Sequence, residues 1–204
     1  MASGLAGAWA AKGHAVMIGS RNPAAARSRQ EGRDPRIQVG TVRDAVAFGN
    51  VVLLAAPWEF VEAAIRGAGS FRGKILIDCT NSFAVGTGGP AMRSGAPLSA
   101  AEEVAGWAAG SAVFKAFNSI YWENLANPVI GEEPLCCFFC GEDGEDKSIV
   151  ERLIRDAGFA PIDAGPLLSA RYLEPLAFLW MQLAFEQGMG TDIALTLTRR
   201  RPRG

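Results

Sequence analysis

Apolar stretches that are short, continuous and regularly interrupted constrain this chain more than any other feature. VVLLAAP at 51–57, the ILID of KILIDCTN at 74–81, AVFKAFNS at 112–119 and LCCFFCG at 135–141 are apolar at nearly every position. A strand with one wet face would alternate, so runs like these belong to strands covered on both faces. Segments of helical composition lie between them, and strands alternating with helices make parallel βα units. The sequence therefore predicts an α/β protein: a mostly parallel sheet, flanking helices and a C-terminal helical segment. Hydrophobic residues at 49% against 20% charged supply the apolar material that a two-faced core needs.

Along the chain, residues 3–12 read as a small-residue helix ended by Gly13, with Gly4 and Gly7 allowing close approach to a sheet. A strand at 15–18 runs into the turn Gly19, Ser20, Arg21, Asn22, Pro23. Helices are expected at 24–31, 42–48, 58–66, 99–109 and 145–157. Thr41 is placed as an N-cap, Glu102 completes a capping box, and Gly158 stops the last of these helices. A minor strand is expected at 37–39 and a final one in FAPIDAG at 159–165. The Gly-, Ser- and Pro-rich stretch 82–97 reads as a loop, and 121–126 as a short helical turn. Residues 169–187 are apolar on most faces around Pro175, which predicts burial in their own core or against a partner chain. Residues 191–201 read as an amphipathic tail helix.

Several function classes fall away on composition. Twenty Lys and Arg face 21 Asp and Glu, a net charge of -1, which argues against a nucleic-acid partner held by a broad basic surface. No apolar run reaches the ~18 residues of a membrane span, and residues 1–11 lack the charged start of a signal peptide. A cytoplasmic protein without a membrane partner is the expectation. Cys136, Cys137 and Cys140 crowd one strand and Cys79 ends another, a distribution that suits buried thiols better than disulfides. With one His in the chain, the Cys137–Cys140 pair lacks further ligands, so no metal is expected. That residue, His14, has no acidic neighbour in sequence and reads as a turn residue.

Ligands of open α/β sheets sit beyond the carboxyl ends of the strands. Four such exits here are polar or carry backbone signals: Gly19-Ser20-Arg21, Ala55-Ala56-Pro57, Asp78-Cys79-Thr80-Asn81 and Phe117-Asn118-Ser119. The first is the most informative. An NAD site wants a carboxylate there for the ribose 2'-hydroxyl; Ser20 and Arg21 instead offer a hydroxyl and a guanidinium fork, which suit the 2'-phosphate of NADP. Residues 1–14 contain no G-x-G-x-x-G preceded by a strand.

The strings GHAVMIGSRNP, VLLAAPWE, ILIDCTN, VFKAFNSIYWENLANP and GFAPIDAGPLLSARYLEPLAFLW resemble the deazaflavin-dependent NADP oxidoreductases over nearly the whole chain. These are the F420-dependent NADP reductases and their relatives, including the reductase domains of membrane metalloreductases. The resemblance implies a Rossmann-like nucleotide domain at 1–165, and a segment at 166–204 that shapes a second-cofactor pocket and a homodimer contact through 173–185. It implies reversible hydride transfer between NADP(H) and coenzyme F420 with no catalytic acid or base. Flavin or another acceptor is the alternative, as is a non-catalytic dinucleotide-binding protein. On this pattern Ser20 and Arg21 hold the 2'-phosphate, Ala55, Pro57 and Trp58 line the nucleotide cleft, and Asn81 lies near the ribose. Ala116 and Asn118 flank the nicotinamide and the second ring. Arg171, Glu174 and Pro175 shape the second pocket or brace the helix, with Glu174 pairing an arginine.

One departure stands out. Met1 and Ala2 fall on the last variable and third small positions of the family's glycine fingerprint, so the first strand and first two glycines are missing. The expected consequence is a sheet that lacks a middle member and exposes unpaired edges. A start codon assigned too far downstream is the expected cause; a truncated paralogue is the rival.

Overall fold

Strand and helix alternate in the order that the apolar runs predict. The computed structural model describes residues 1–30, 34–86, 89–92, 97–125, 127–198 and 200. Its first part runs α1 (Ala2–Ala11), β1 (Val16–Gly19), α2 (Pro23–Gln30), β2 (Ile37–Gly40), α3 (Val42–Phe48), β3 (Val51–Leu54), a 3₁₀ turn at Trp58–Phe60, α4 (Val61–Ala68) and β4 (Ile75–Asp78). Then come β5 (Phe83–Gly86), β6 (Gly89–Met92), α5 (Ala100–Trp107), β7 (Ala112–Ala116), a 3₁₀ turn at Trp122–Leu125, β8 (Val129–Ile130), β9 (Glu133–Pro134) and β10 (Cys136–Cys140). The last part is α6 (Glu145–Asp156), β11 (Ala160–Asp163), a 3₁₀ turn at Leu167–Ser169, α7 (Ala170–Met181) and a π turn at Gln182–Glu186.

Five strands form the central sheet in the order β11-β10-β7-β4-β3. Neighbours are parallel except β10 against β7, where Phe139 faces Ala116. The strands β1 and β2 pair in parallel as a separate ribbon. This is the mostly parallel, Rossmann-like α/β arrangement that the sequence predicts, and it is interrupted between β1 and β3.

The period of two explains why the runs are continuously apolar. In β4, Ile75 and Ile77 join Phe114, Phe139 and the α1 and α6 residues Leu5, Trp9, Val150 and Ile154 on one face. Leu76, between them, joins Val113 and the α3–α5 residues Val46, Val61, Ile65 and Val104 on the other. Trp9 donates from Nε1 to the Leu153 carbonyl at 2.8 Å, fixing α1 to α6. A Cβ on Gly4 would sit 3.1 Å from Leu125, so its smallness lets the 122–125 turn close on α1; Gly7 has open space, against expectation. Thr41 with Asp44 and Ser99 with Glu102 form reciprocal capping boxes. Gly158, at φ +91°, turns the chain out of α6.

Other expectations fail for identifiable reasons. The supposed loop at 82–97 contains the β5–β6 hairpin, in which Phe83 pairs Met92 and Gly86 pairs Gly89; glycines that look like loop composition also serve tight hairpins. Residues 87, 88 and 93–96 of that stretch lie outside the described residues. The tail helix is absent among the described residues of 191–201. That segment is held by side chains instead: Trp180 Nε1 donates to the Ile193 carbonyl (2.9 Å), and Thr191 Oγ1 bonds Glu123 (3.2 Å). The segment 169–187 is less buried than expected, with Tyr172 77% exposed. His14 does find a carboxylate, Asp156 at 2.8 Å, which lies 142 residues away in sequence.

Ser99 is buried, and its hydroxyl accepts from Glu102 N at the start of α5. Ser99→Ala should cost about 1 kcal/mol in urea denaturation, with an unchanged dependence on urea.

Candidate functional site

The exits of β1 and β3 meet through side chains. Ser20 Oγ accepts from Asn22 N and donates to the Asn22 carbonyl, both at 3.1 Å, which shapes the turn after β1. Arg21 is exposed, and its guanidinium carbon lies 4.1 Å from the ring centroid of Phe60. Phe60 closes the 3₁₀ turn that follows β3. Between them, Ala55 and Pro57 are exposed, while Trp58 packs its ring 5.5 Å from that of Trp107. Ala2 and Ala55 share the lining of a cavity of about 540 Å³ with Gly19 and Ala56. Met1 is the uncapped N-cap of α1 and packs against the main core.

The exits of β4 and β7 are clasped to each other. Asn81 Nδ2 donates to the Asn118 carbonyl (2.8 Å), and Asn118 Nδ2 donates to Asn81 Oδ1 (3.1 Å) and the Leu173 carbonyl (2.8 Å). Asn118 follows Phe117, a bulky residue held at φ +62°. That conformation is costly for a side chain with a Cβ, and here the Phe117 ring is buried between Trp9 and Phe159. Asn118 Oδ1 and Thr80 Oγ1 are buried without a hydrogen-bond partner among the described residues. Asn81 opens onto a second cavity of about 210 Å³, lined also by Phe83, Ser99, Arg171, Glu174 and Phe178. Pro175 lines it too, whereas Ala116 is fully buried in the core behind it.

The groups that set this geometry include one that the sequence reading missed. Lys115 is wholly buried, and its Nζ donates to Asp78 Oδ2 (2.9 Å) and the Thr80 carbonyl (2.6 Å) and lies 3.1 Å from Glu174 Oε1. Glu174 also accepts from the amides of Ala100 and Ala101, at 3.0 and 3.1 Å, at the start of α5. Burial alone would lower the Lys115 pKa; Asp78 and Glu174 outweigh it and hold it above the ordinary lysine value. Glu174 thus pairs a lysine, not the arginine expected. Arg171 instead bonds Glu102 at 2.9 Å through both Nε and a terminal nitrogen. These bonds hold the Glu102 carboxyl down at about 2, against partial burial that would raise it. A readable signal existed: a lysine inside the buried run AVFKAF requires a carboxylate, and Asp78 faces it in register on the neighbouring strand.

Nearby, the thiols of Cys79, Cys137 and Cys140 are free, and burial pushes each up to about 12.

The family model "NADP oxidoreductase coenzyme F420-dependent" matches residues 1–82. A crystal structure from Arthrobacter sp. FB24, provisionally assigned as an F420-dependent NADP reductase, superposes with a TM-score of 0.86 at 26% identity, covering 96% of this chain and 94% of that one. The F420-dependent NADP reductase of Methanocaldococcus jannaschii is 29% identical across 91% of this chain and 89% of its own length. This chain's sequence and fold are similar to those of the F420-dependent NADP oxidoreductases. Its similarity extends to Metalloreductase STEAP3 of Rattus norvegicus, 33% identical over 80% of this chain. The chain spans about a third of the length of that metalloreductase, 32%. Among the described residues, no helix is long and apolar enough to cross a membrane.

Lys115→Met would leave Asp78 and Glu174 without their cation and should cost about 3–5 kcal/mol in urea denaturation. Lys147→Met, which breaks pairs to Asp143 and the half-exposed Asp163, should cost about 1 kcal/mol or less. The Glu102 pair sets a pH dependence. Its folded pKa lies below the unfolded value, so its stabilisation is complete above pH ~5 and is lost as pH falls toward ~2. Glu102→Gln, which retains the capping geometry, should be about 1 kcal/mol less stable than the parent at pH ~7, a modest difference because Arg171 is half exposed. The two proteins should converge near pH ~2 when melting temperature is followed against pH.

Proposed function

We propose that the chain is an oxidoreductase that transfers a hydride between NADP(H) and coenzyme F420. Residues 1–165 would serve as its nucleotide-binding part and 166–204 as the segment that shapes the second-cofactor pocket. The observation that carries the NADP half is the exit of β1: an exposed guanidinium braced on the Phe60 ring, with a serine before it and no carboxylate at that exit. Among the described residues the Arg21 guanidinium makes no hydrogen bond, so its fork is available to a 2'-phosphate. The residues fit this end of the nucleotide. At the pyrophosphate end, the first-turn amides of α1 at Ala2 and Ser3 supply donors of the right kind. Similarity to the F420-dependent NADP reductase of Methanocaldococcus jannaschii supports F420 as the second partner.

In this reading the two cofactors, when bound, would supply the hydride donor and acceptor in either direction, so the chemistry would reside in them. What the chain does is bind, orient and exclude water. Ser20 and Arg21 hold the phosphate; Ala55, Pro57 and Trp58 wall the cleft; and Asn81 and Asn118 brace the exits of β4 and β7. The unpartnered Asn118 Oδ1 is an acceptor suited to an amide of a bound ring. Ala116 backs this site from the core. Phe83, Pro175 and Phe178 give the second cavity apolar walls, and Arg171 gives it a cationic rim. Exposed Tyr172 and Leu179 on α7 would form the contact of a homodimer, and the protein would work in the cytoplasm.

Titration with NADPH and NADH tests the cofactor, and absorbance changes on mixing with F420 or with FMN test the acceptor. NADPH should bind more tightly than NADH. Arg21→Ala should weaken NADPH roughly tenfold or more and leave NADH unchanged. Phe60→Leu, which removes only the brace, should weaken NADPH by roughly two- to fivefold. Equal affinity for the two nucleotides would overturn the assignment of NADP. Turnover with FMN alone would assign another acceptor, and binding without turnover would assign a non-catalytic role.

A further inference from the structure

The strand β7 does not keep its alternation to the end. Phe114 and Ala116 face the core cluster that holds Trp9 and Phe139, and Val113 faces the α3–α5 layer. Lys115, with the parity of Val113, reaches Asp78 and Glu174. Continued by twos, the strand would send residue 117 toward α7 after Lys115, and residue 118 into the core after Ala116. The structure has the reverse. Phe117 joins the core cluster beside Ala116, and Asn118 turns to α7, where its Nδ2 donates to the Leu173 carbonyl at 2.8 Å. One torsion makes the switch, φ +62° at Phe117; every other described residue with positive φ is a glycine. A glycine would adopt that conformation freely but would bring no ring, and the ring is what secures it. The Phe117 ring is fully buried, edge to face with Trp9 and Phe159, whose centroids lie 6.3 and 6.0 Å away. Trp9 is itself tied by Nε1 to the Leu153 carbonyl.

We propose that Phe117 is a positioning residue: its left-handed backbone delivers Asn118 to the α7 side of the sheet, where Asn118 Oδ1 accepts from the N–H of a pyridine carboxamide. The inference rests on the reading of the chain as a nicotinamide-nucleotide oxidoreductase, and it names the part of the nucleotide that this strand exit selects. Asn118 is 5% exposed. Both protons of its Nδ2 are engaged, by Asn81 Oδ1 and the Leu173 carbonyl, which fixes the orientation of the amide. Oδ1 is left as the unmet group among the described residues. A buried acceptor fixed in this way asks for a donor from outside the chain. A carboxamide on the ring carries such an N–H, whereas a methyl ketone or a carboxylate at the same position carries none. Without the switch, the same amide would enter the apolar cluster of Ile77, Phe114 and Phe139 and meet no ligand.

The test compares Phe117→Leu with Phe117→Ile. The two new side chains have equal volume, but only the β-branched one is excluded from the left-handed region. Exchange of the Asn118 side-chain amide protons, followed by NMR without ligand, should stay within about threefold of the parent in Phe117→Leu and speed up roughly tenfold or more in Phe117→Ile. Dissociation constants are then measured for NADPH and for its reduced acetylpyridine analogue, in which a methyl ketone replaces the amide. The parent and Phe117→Leu should prefer NADPH roughly tenfold, and Phe117→Ile should bind the two alike. In the parent, NADPH but not the analogue should shift the Asn118 side-chain amide resonances, which keeps the test decisive if Phe117→Ile does not fold. Equal exchange in the two variants, or a parent that binds NADPH and the analogue alike, would overturn the proposal. Should that happen with NADPH still bound more tightly than NADH, only this inference falls. NADPH bound no more tightly than NADH, with the preference for the carboxamide kept, would overturn the NADP assignment alone, and binding of neither nucleotide would overturn both.

Discussion

A single ammonium ties together the three elements that shape the second cavity. Lys115 sits inside β7 with no exposure to solvent, and its Nζ reaches the end of β4 through Asp78 and Thr80 and the middle of α7 through Glu174. Glu174 carries the connection onward to the first amides of α5. Apolar residues of the same volume would often be at least as stabilising as a buried ion pair. Packing alone, however, leaves a helix free to settle at several depths and rotations. Charges that must each be met fix one of them, and this is the role we assign to Lys115. Arg171 and Glu102 repeat the link between α7 and α5 at the surface, where solvent weakens it.

The same constraint is missing on the other side of the molecule. Between β1 and β3 no ladder and no buried ion pair joins the β1–β2 ribbon to the central sheet among the described residues. What connects them is packing through α1 and α3, helped by His14 with Asp156 and by Arg21 on Phe60. The two halves of the proposed nucleotide cleft are therefore held unequally. The β4–β7 exits are fixed by the Asn81–Asn118 clasp and the charges beneath it, and the β1 exit is held by contacts near the surface.

Most of the fold was legible because its signals are local or periodic. Continuous apolar runs identify doubly covered strands, and Thr41, Ser99 and Gly158 mark helix ends by their own chemistry. The hairpin at β5–β6 was obscured because glycine and proline suit both loops and tight turns. The chain after α7 was misread for a different reason: its helical periodicity loses to Trp180 and Glu123, which take its backbone and hydroxyl groups from a distance. Long-range pairing also hid the ion network. Asp78 and Lys115 are 37 residues apart, and only knowing that β4 lies beside β7 brings them together. Phe60 carried no sequence signal at all, since its value to Arg21 depends on where the turn after β3 places it. Of the predicted site residues, the structure brings Ala2 with Ala55 and Asn81 with Asn118, while Ala116 lies behind them in the core.

The state of the ionisable groups says how such a chain contributes to the proposed reaction. Near the second cavity, Lys115 is held charged by two carboxylates, Glu102 is held ionised by Arg171, and three thiols are held protonated by burial. Groups tied this firmly exchange protons poorly near neutral pH, but they maintain position well. Hydride transfer between two bound rings asks for that division of labour, because its rate depends on how closely and squarely the rings meet. The charged network then matters to the chemistry through geometry alone. In the proposed reaction, a change that shifts α7 on α5 by a fraction of its width would alter ring spacing without touching either ring, and Glu174 and Arg171 would then act as positioning residues.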